Sequence, residues 1–204
     1  MVKNAQTDKE VPTMSGVYIN ERSIMLSDDI TEETVGIIMN AIIKINQDDA
    51  IKEEVYADYV REPISLYINT NGGLCYDSLG LADVIYTSQT PVYTFALGKC
   101  MSAGLTVFLA GAKRYCTKNT TFMYHNLSHS VSGMYGQILD SVEEDMRVEE
   151  LIDSWIMSRC KITAKMIADC TKEKTNLYID SNTAKKLGIV DEVIGDKAYK
   201  KIRP

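Results

Sequence analysis

The sequence predicts an α/β fold in which largely parallel strands are joined by helical crossovers. Three observations carry that expectation. From Gly16 onward, short β-type runs alternate with helix-type runs. The β-branched and aromatic run at residues 64–69 enters Thr70-Asn71-Gly72-Gly73 and is followed by a helical run at residues 74–88. The same order recurs where residues 91–97, bounded by Pro91 and Gly98, lead through Lys99-Cys100-Met101-Ser102 into the small apolar residues 103–110.

Each element has its own local reason. Val17-Tyr18-Ile19 reads as a first strand. Residues 31–45 place Val35, Ile38, Met39, Ile42 and Ile43 at helical spacing, so one face belongs to the core. Thr31 followed by Glu32 and Glu33 suits the helix start, where free N–H groups and the positive dipole end favour oxygen ligands. Residues 46–62 are charged and lack a clean period, which reads as a loop insertion or a frayed helix end on the surface. Residues 113–117 and 121–125 form two short strands around Lys118-Asn119-Thr120, the second ending on His125. Residues 134–160 form a long helix with Ile138, Val142, Met146, Leu151, Ile152, Trp155 and Ile156 on or near one stripe. A helix of that length projects beyond the core of a 204-residue chain, and a second copy of the chain is the simplest cover for its stripe. Short helices at 163–170 and 181–187 follow, the second with Asp180 as its N-cap, and residues 189–194 make a final strand.

Composition narrows the function. The length suits one domain, residues 16–204, behind a mobile arm at residues 1–15. Acidic residues outnumber basic ones 28 to 22, and the net charge of -6 argues against nucleic-acid binding. Five cysteines form no C-x-x-C pair, and their odd number argues against a disulfide framework and for a reducing compartment. The arm lacks the apolar core of a secretory signal and no apolar run reaches membrane-spanning length, so a cytoplasmic location without membrane contact is expected.

Three places carry chemistry. Ser102 stands between a strand and a helix, where free N–H groups would stabilise an oxyanion, and the same position suits a plain N-cap, the commoner role for such a serine. Gly72-Gly73 permits close backbone approach and presents two consecutive N–H donors, or is simply a tight strand-to-helix turn. His125 ends a strand where an open α/β sheet would carry a general base, or is a surface imidazole. His129, in the loop Ser128-His129-Ser130, is assigned to the surface.

In order and spacing, Asn69-Thr70-Asn71-Gly72-Gly73, Gly98 to Gly104 around Ser102, Met123-Tyr124-His125 and Ala184-Lys185-Lys186-Leu187-Gly188-Ile189-Val190-Asp191 together resemble the Clp protease proteolytic subunit, ClpP. Glu21-Arg22-Ser23-Ile24-Met25-Leu26 resembles that family's opening strand, and Gly136-Gln137 the start of its handle helix. The resemblance spans about residues 16–195. It implies the ClpP/crotonase-like fold of repeated β-β-α units with a protruding handle helix at about 134–160. It also implies a serine endopeptidase in which Ser102 is the nucleophile, His125 the base and the N–H groups of Gly73 and Ala103 the oxyanion hole. For the third triad member it points to Asp169, one residue displaced from the family pattern, while an ungapped count from Ala184 puts Lys172 there with Asn176 nearby. The family has Ser-Pro-Gly-Gly where this chain has Thr70-Asn71-Gly72-Gly73, and Met where it has Ala103. No metal or cofactor is implied. The implied partners are further copies of the chain in two stacked heptameric rings, a hexameric AAA+ Clp ATPase, and unfolded polypeptide substrates. Accordingly the chain has no G-x-x-x-x-G-K-[ST] phosphate loop. Two other readings stay open: a catalytically silent subunit of a mixed ring, and a crotonase-type acyl-CoA enzyme.

Overall fold

The central strand shows why a sheet forms here. In β3 (Ile64–Thr70) buried residues alternate with half-buried ones, Ile64, Leu66, Ile68 and Thr70 all turning to one face. The computed structural model describes residues 16–173 and 175–195, and the arm expected at residues 1–15 lies outside them. Its elements run β1 (Val17–Asn20), β2 (Ser23–Leu26), α1 (Glu32–Val55), β3, α2 (Cys75–Thr87), β4 (Val92–Met101), α3 (Ala103–Leu109), β5 (Lys113–Thr117), β6 (Thr121–Tyr124), α4 (Tyr135–Arg159), α5 (Ala164–Glu173), β7 (Leu177–Asp180), α6 (Ser181–Lys186) and β8 (Glu192–Ile194).

The strands form one sheet in the order β1-β2-β3-β4-β5-β8, parallel except at β1–β2. β4 serves two neighbours. Its first half pairs with β5 through Tyr93–Ala96, and beyond Gly98, whose φ is +76°, its end pairs in parallel with β6. β6 in turn pairs antiparallel with β7, a strand the periodicity did not indicate. On the sheet face opposite the buried row, Phe95 stacks between Tyr67 and Tyr115 with centroids 4.9 Å away on each side, so β3, β4 and β5 are tied on both faces.

Helix α3 is buried at all seven positions, as its apolar composition demands. Its carbonyls are claimed by α4: Trp155 Nε1 donates to Thr106 O at 3.0 Å, and Arg159 Nε to Leu109 O at 3.0 Å. The Arg159 guanidinium also lies over the rings of Tyr86 and Trp155. The second half of α4 is therefore anchored, with Ile156 buried, while Val142, Met146 and Leu151 of the expected stripe are exposed. All five cysteines are free thiols. No described helix is long and apolar enough to cross a membrane. Asp180 caps α6, accepting from the N–H groups of Asn182 and Thr183.

The region 46–62 corrects the sequence reading. α1 continues to Val55, and Asp49, assigned to the surface, has no exposure at all. Its carboxylate meets Arg22 from the turn between β1 and β2, the Tyr59 hydroxyl at 2.6 Å and the Thr90 hydroxyl at 2.7 Å. These partners lie 10 to 41 residues away in sequence, so no local pattern shows them. Burial opposes ionisation of Asp49 most strongly, but the hydrogen bonds from Arg22, Tyr59 and Thr90 together outweigh it and hold the carboxyl at about 2. A carboxyl depressed by folding lends stability that is complete above its unfolded value, near 4, and is lost as pH falls toward about 2. Asp49→Ala strips Arg22, Tyr59 and Thr90 of their shared acceptor and is expected to cost about 1–3 kcal/mol in urea unfolding at neutral pH. The same variant should lose less further stability than the parent between pH 4 and pH 2.

Candidate active site

Ser102 lies where β4 passes into α3, with φ 53° and ψ −126°. A side-chain-bearing residue in that region stores about 1–3 kcal/mol of strain and needs surroundings that enforce it. The enforcement is visible. Its N–H donates to Met123 O at 2.8 Å, its carbonyl accepts from Leu105 N–H at 2.9 Å, and the helix that follows is buried at every position. The hydroxyl does not cap α3. Ser102 Oγ instead lies 2.7 Å from His125 Nε2.

The sheet dictates that meeting. The β4–β6 ladder sets Lys99, Cys100 and Met101 beside Thr121, Phe122 and Met123, so the residues just past both C-terminal strand ends emerge together. This is the edge at which open α/β sheets place their sites. The Gly72-Gly73 turn closes on the same point. Ile30 N–H donates to Gly72 O at 2.7 Å and Leu74 N–H to Ile30 O at 2.9 Å. With φ of +116° and +149°, both glycines adopt backbone that side chains disfavour. A Cβ on Gly72 would fall 2.7 Å from Ser102 Cβ, and one on Gly73 2.1 Å from Ile30 O. Among the described residues, neither the Gly73 N–H nor the Ala103 N–H has a hydrogen-bond acceptor. Two free donors therefore flank the hydroxyl, and a cavity of about 680 Å³ opens beside them.

The profile of the Clp protease family matches residues 6–197. The chain belongs to the Clp protease family. It is 27% identical over 181 residues to the ATP-dependent Clp protease proteolytic subunit 1 of Rhodopirellula baltica, covering 87% of this chain and 79% of that one. A ClpP1 point mutant from Listeria monocytogenes superimposes with a TM-score of 0.69 at 22% identity, over 85% of this chain and 91% of that one, which establishes the ClpP fold. The family is one of peptidases, and Ser102 and His125 both line this cavity of the Clp protease chain.

In this Clp protease chain the third expected residue is elsewhere. Asp169 is exposed on α5 and its carboxylate binds Lys165 Nζ at 2.6 Å, one helical turn away. Among the described residues the His125 ring makes no hydrogen bond except that to Ser102, so Lys172 and Asn176 do not reach it either. What holds the imidazole is the backbone on both sides of it. Tyr124, immediately before, donates its hydroxyl to Asp153 Oδ1 of α4 at 2.6 Å. Asn126, immediately after, donates its amide to Glu149 of α4 and to Thr171 Oγ1 of α5. Burial and the Asp153 contact push the Tyr124 hydroxyl well above the ordinary phenol range, so it stays a proton donor. Sequence reasoning missed Tyr124, Asn126, Glu149, Asp153 and Thr171. Only the flanking of the histidine by two hydrogen-bonding side chains could have suggested the first two. His129 is half-exposed, 3.4 Å from Asp145.

The glycine turn can be tested separately from chemistry. Gly73→Ala must displace the Ile30 backbone and is expected to lower unfolding stability by about 1–3 kcal/mol. Gly72→Ala presses directly on Ser102 Cβ and is expected to reduce labelling of that serine by a fluorophosphonate at least about tenfold, measured on folded protein.

Proposed function

We propose that the chain is the serine endopeptidase subunit of a chambered, ATP-dependent protease. The observation that carries this is the 2.7 Å approach of Ser102 Oγ to His125 Nε2 beside two unclaimed N–H donors. Ser102 attacks the scissile carbonyl as His125 Nε2 removes the hydroxyl proton. The carbonyl oxygen, gaining charge, is received by the N–H groups of Gly73 and Ala103. Loss of one such donor typically costs about 10²–10³ in rate. The tetrahedral adduct collapses as His125 returns the proton to the leaving amine, and water repeats the sequence on the acyl-enzyme.

The half-exposed handle supports assembly. Tyr135, Leu139, Val142 and Met146 leave a single chain with apolar surface that a second ring would cover. Enclosure demands that substrates arrive unfolded, and with no phosphate loop in the chain, an AAA+ partner supplies the ATP-driven unfolding.

A specific observation favours a second reading. No described carboxylate orients His125, and an imidazole without one loses its enforced tautomer, a defect worth about 10⁴ in rate in the serine-protease template. On that reading the chain is a structural member of a mixed ring. The two separate cleanly. A fluorophosphonate should label Ser102 in the purified assembly, and Ser102→Ala should lower peptide hydrolysis by at least about a thousandfold. Absence of both labelling and hydrolysis assigns the silent role. Val142→Glu is expected to break the assembly into smaller species in analytical ultracentrifugation while leaving the circular dichroism spectrum unchanged, because Val142 is exposed in the single chain.

A further inference from the structure

The cavity beside Ser102 carries a pronounced pattern of negative charge. Five carboxylates line it, from Asp29, Glu144, Asp145, Glu149 and Asp153, and no lysine or arginine does. Three of them, Asp145, Glu149 and Asp153, recur every fourth residue along α4, an arrangement in which like charges repel and weaken the helix. Glu144 is neutralised by Arg147, and Asp145 has His129. Among the described residues no cation reaches Glu149 or Asp153. Asp153 accepts one hydrogen bond, from Tyr124, on Oδ1, and Oδ2 has no described partner. Burial, with the Glu149 charge adding to it, raises its carboxyl above the ordinary aspartate range against the pull of Tyr124.

Between these carboxylates the wall is apolar. Val148 and Ile156 of α4 are buried, and Ile152 lies between them on the same cavity wall. Apolar sides with an unpaired carboxylate match a side chain made of a methylene stem and a cationic head. Placement links this slot to the reaction, since Tyr124 holds Asp153 and immediately precedes His125.

We propose that the cavity receives a lysine or arginine side chain of the polypeptide substrate, paired with Asp153 and reinforced by Glu149, so that cleavage falls after basic residues. This rests on the peptidase reading above and adds its substrate class. The charge of the entering cation offsets that of the α4 carboxylates.

The test uses the purified assembly and four fluorogenic peptides that differ only in the residue before the scissile bond: Arg, Lys, Leu or Glu. The expected kcat/KM for Arg and Lys exceeds that for Leu by at least about tenfold, and Glu is poorest. Asp153→Asn should lower the Arg-to-Leu ratio by about tenfold or more, and Glu149→Gln by a smaller factor. A leucine preference in the parent overturns the proposal. So does an Asp153→Asn variant that slows both peptides equally, the signature of a merely structural residue. If Asp153→Asn fails to fold by circular dichroism, the parent ratio and competitive inhibition by benzamidine decide. A second measurement does not depend on turnover. An arginine peptide should bind the assembly more tightly than its neutral citrulline isostere in fluorescence anisotropy, and equal binding overturns the proposal. Failure of Ser102 labelling with a retained citrulline difference would sink the peptidase reading and spare the cation slot.

Discussion

The structure turns on one residue's backbone. Ser102 takes a positive φ between a strand and a buried helix, and almost every feature of the site follows from keeping it there. The conformation tips the hydroxyl away from the N-cap position and toward His125, while leaving the Ala103 N–H pointing free. Strain of this kind persists only where neighbours overdetermine it. Here they are the Met123 carbonyl, the glycine turn in contact with Ser102 Cβ, and an α3 with no exposed residue.

That arrangement makes α4 more than a projection. Its second half supplies Trp155 and Arg159 to the carbonyls of α3, and Glu149 and Asp153 to the residues on either side of His125. One helix thus braces both α3, which follows Ser102, and the strand that ends before His125. Its first half carries the exposed apolar residues that a second copy would cover. The exposed apolar face of the handle and the geometry at the site therefore share one helix, so a shift of α4 would be felt at both Ser102 and His125.

The imidazole is placed by its chain neighbours more than by a carboxylate on its own ring. Tyr124 and Asn126 fix where the residue sits, yet they leave the second ring nitrogen without a described partner. Position and tautomer are different constraints. A clamp on the backbone supplies the first, and only a hydrogen bond to the ring itself supplies the second. The described ring has the first without the second.

Much of this was legible in the chain. Alternation in β3, the helical period of α1, the apolar run of α3 and the Asp180 cap are consequences of nearest neighbours, and the structure carries each of them. Ser102, Gly73 and His125 could be singled out because each ends or begins a local element. The buried Asp49, the β6–β7 pairing and the clamp around His125 could not, because their partners are far away in sequence. Asp169 shows the limit most clearly: it lies one residue from the expected triad position, while its helix turns it to solvent and to Lys165. By itself the sequence determined the alternation of β3, the helical period of α1, the apolar run of α3 and the caps at Thr31 and Asp180. Tertiary structure alone decided which residues meet, because a polar side chain is spent on whichever partner the fold brings within about 3 Å.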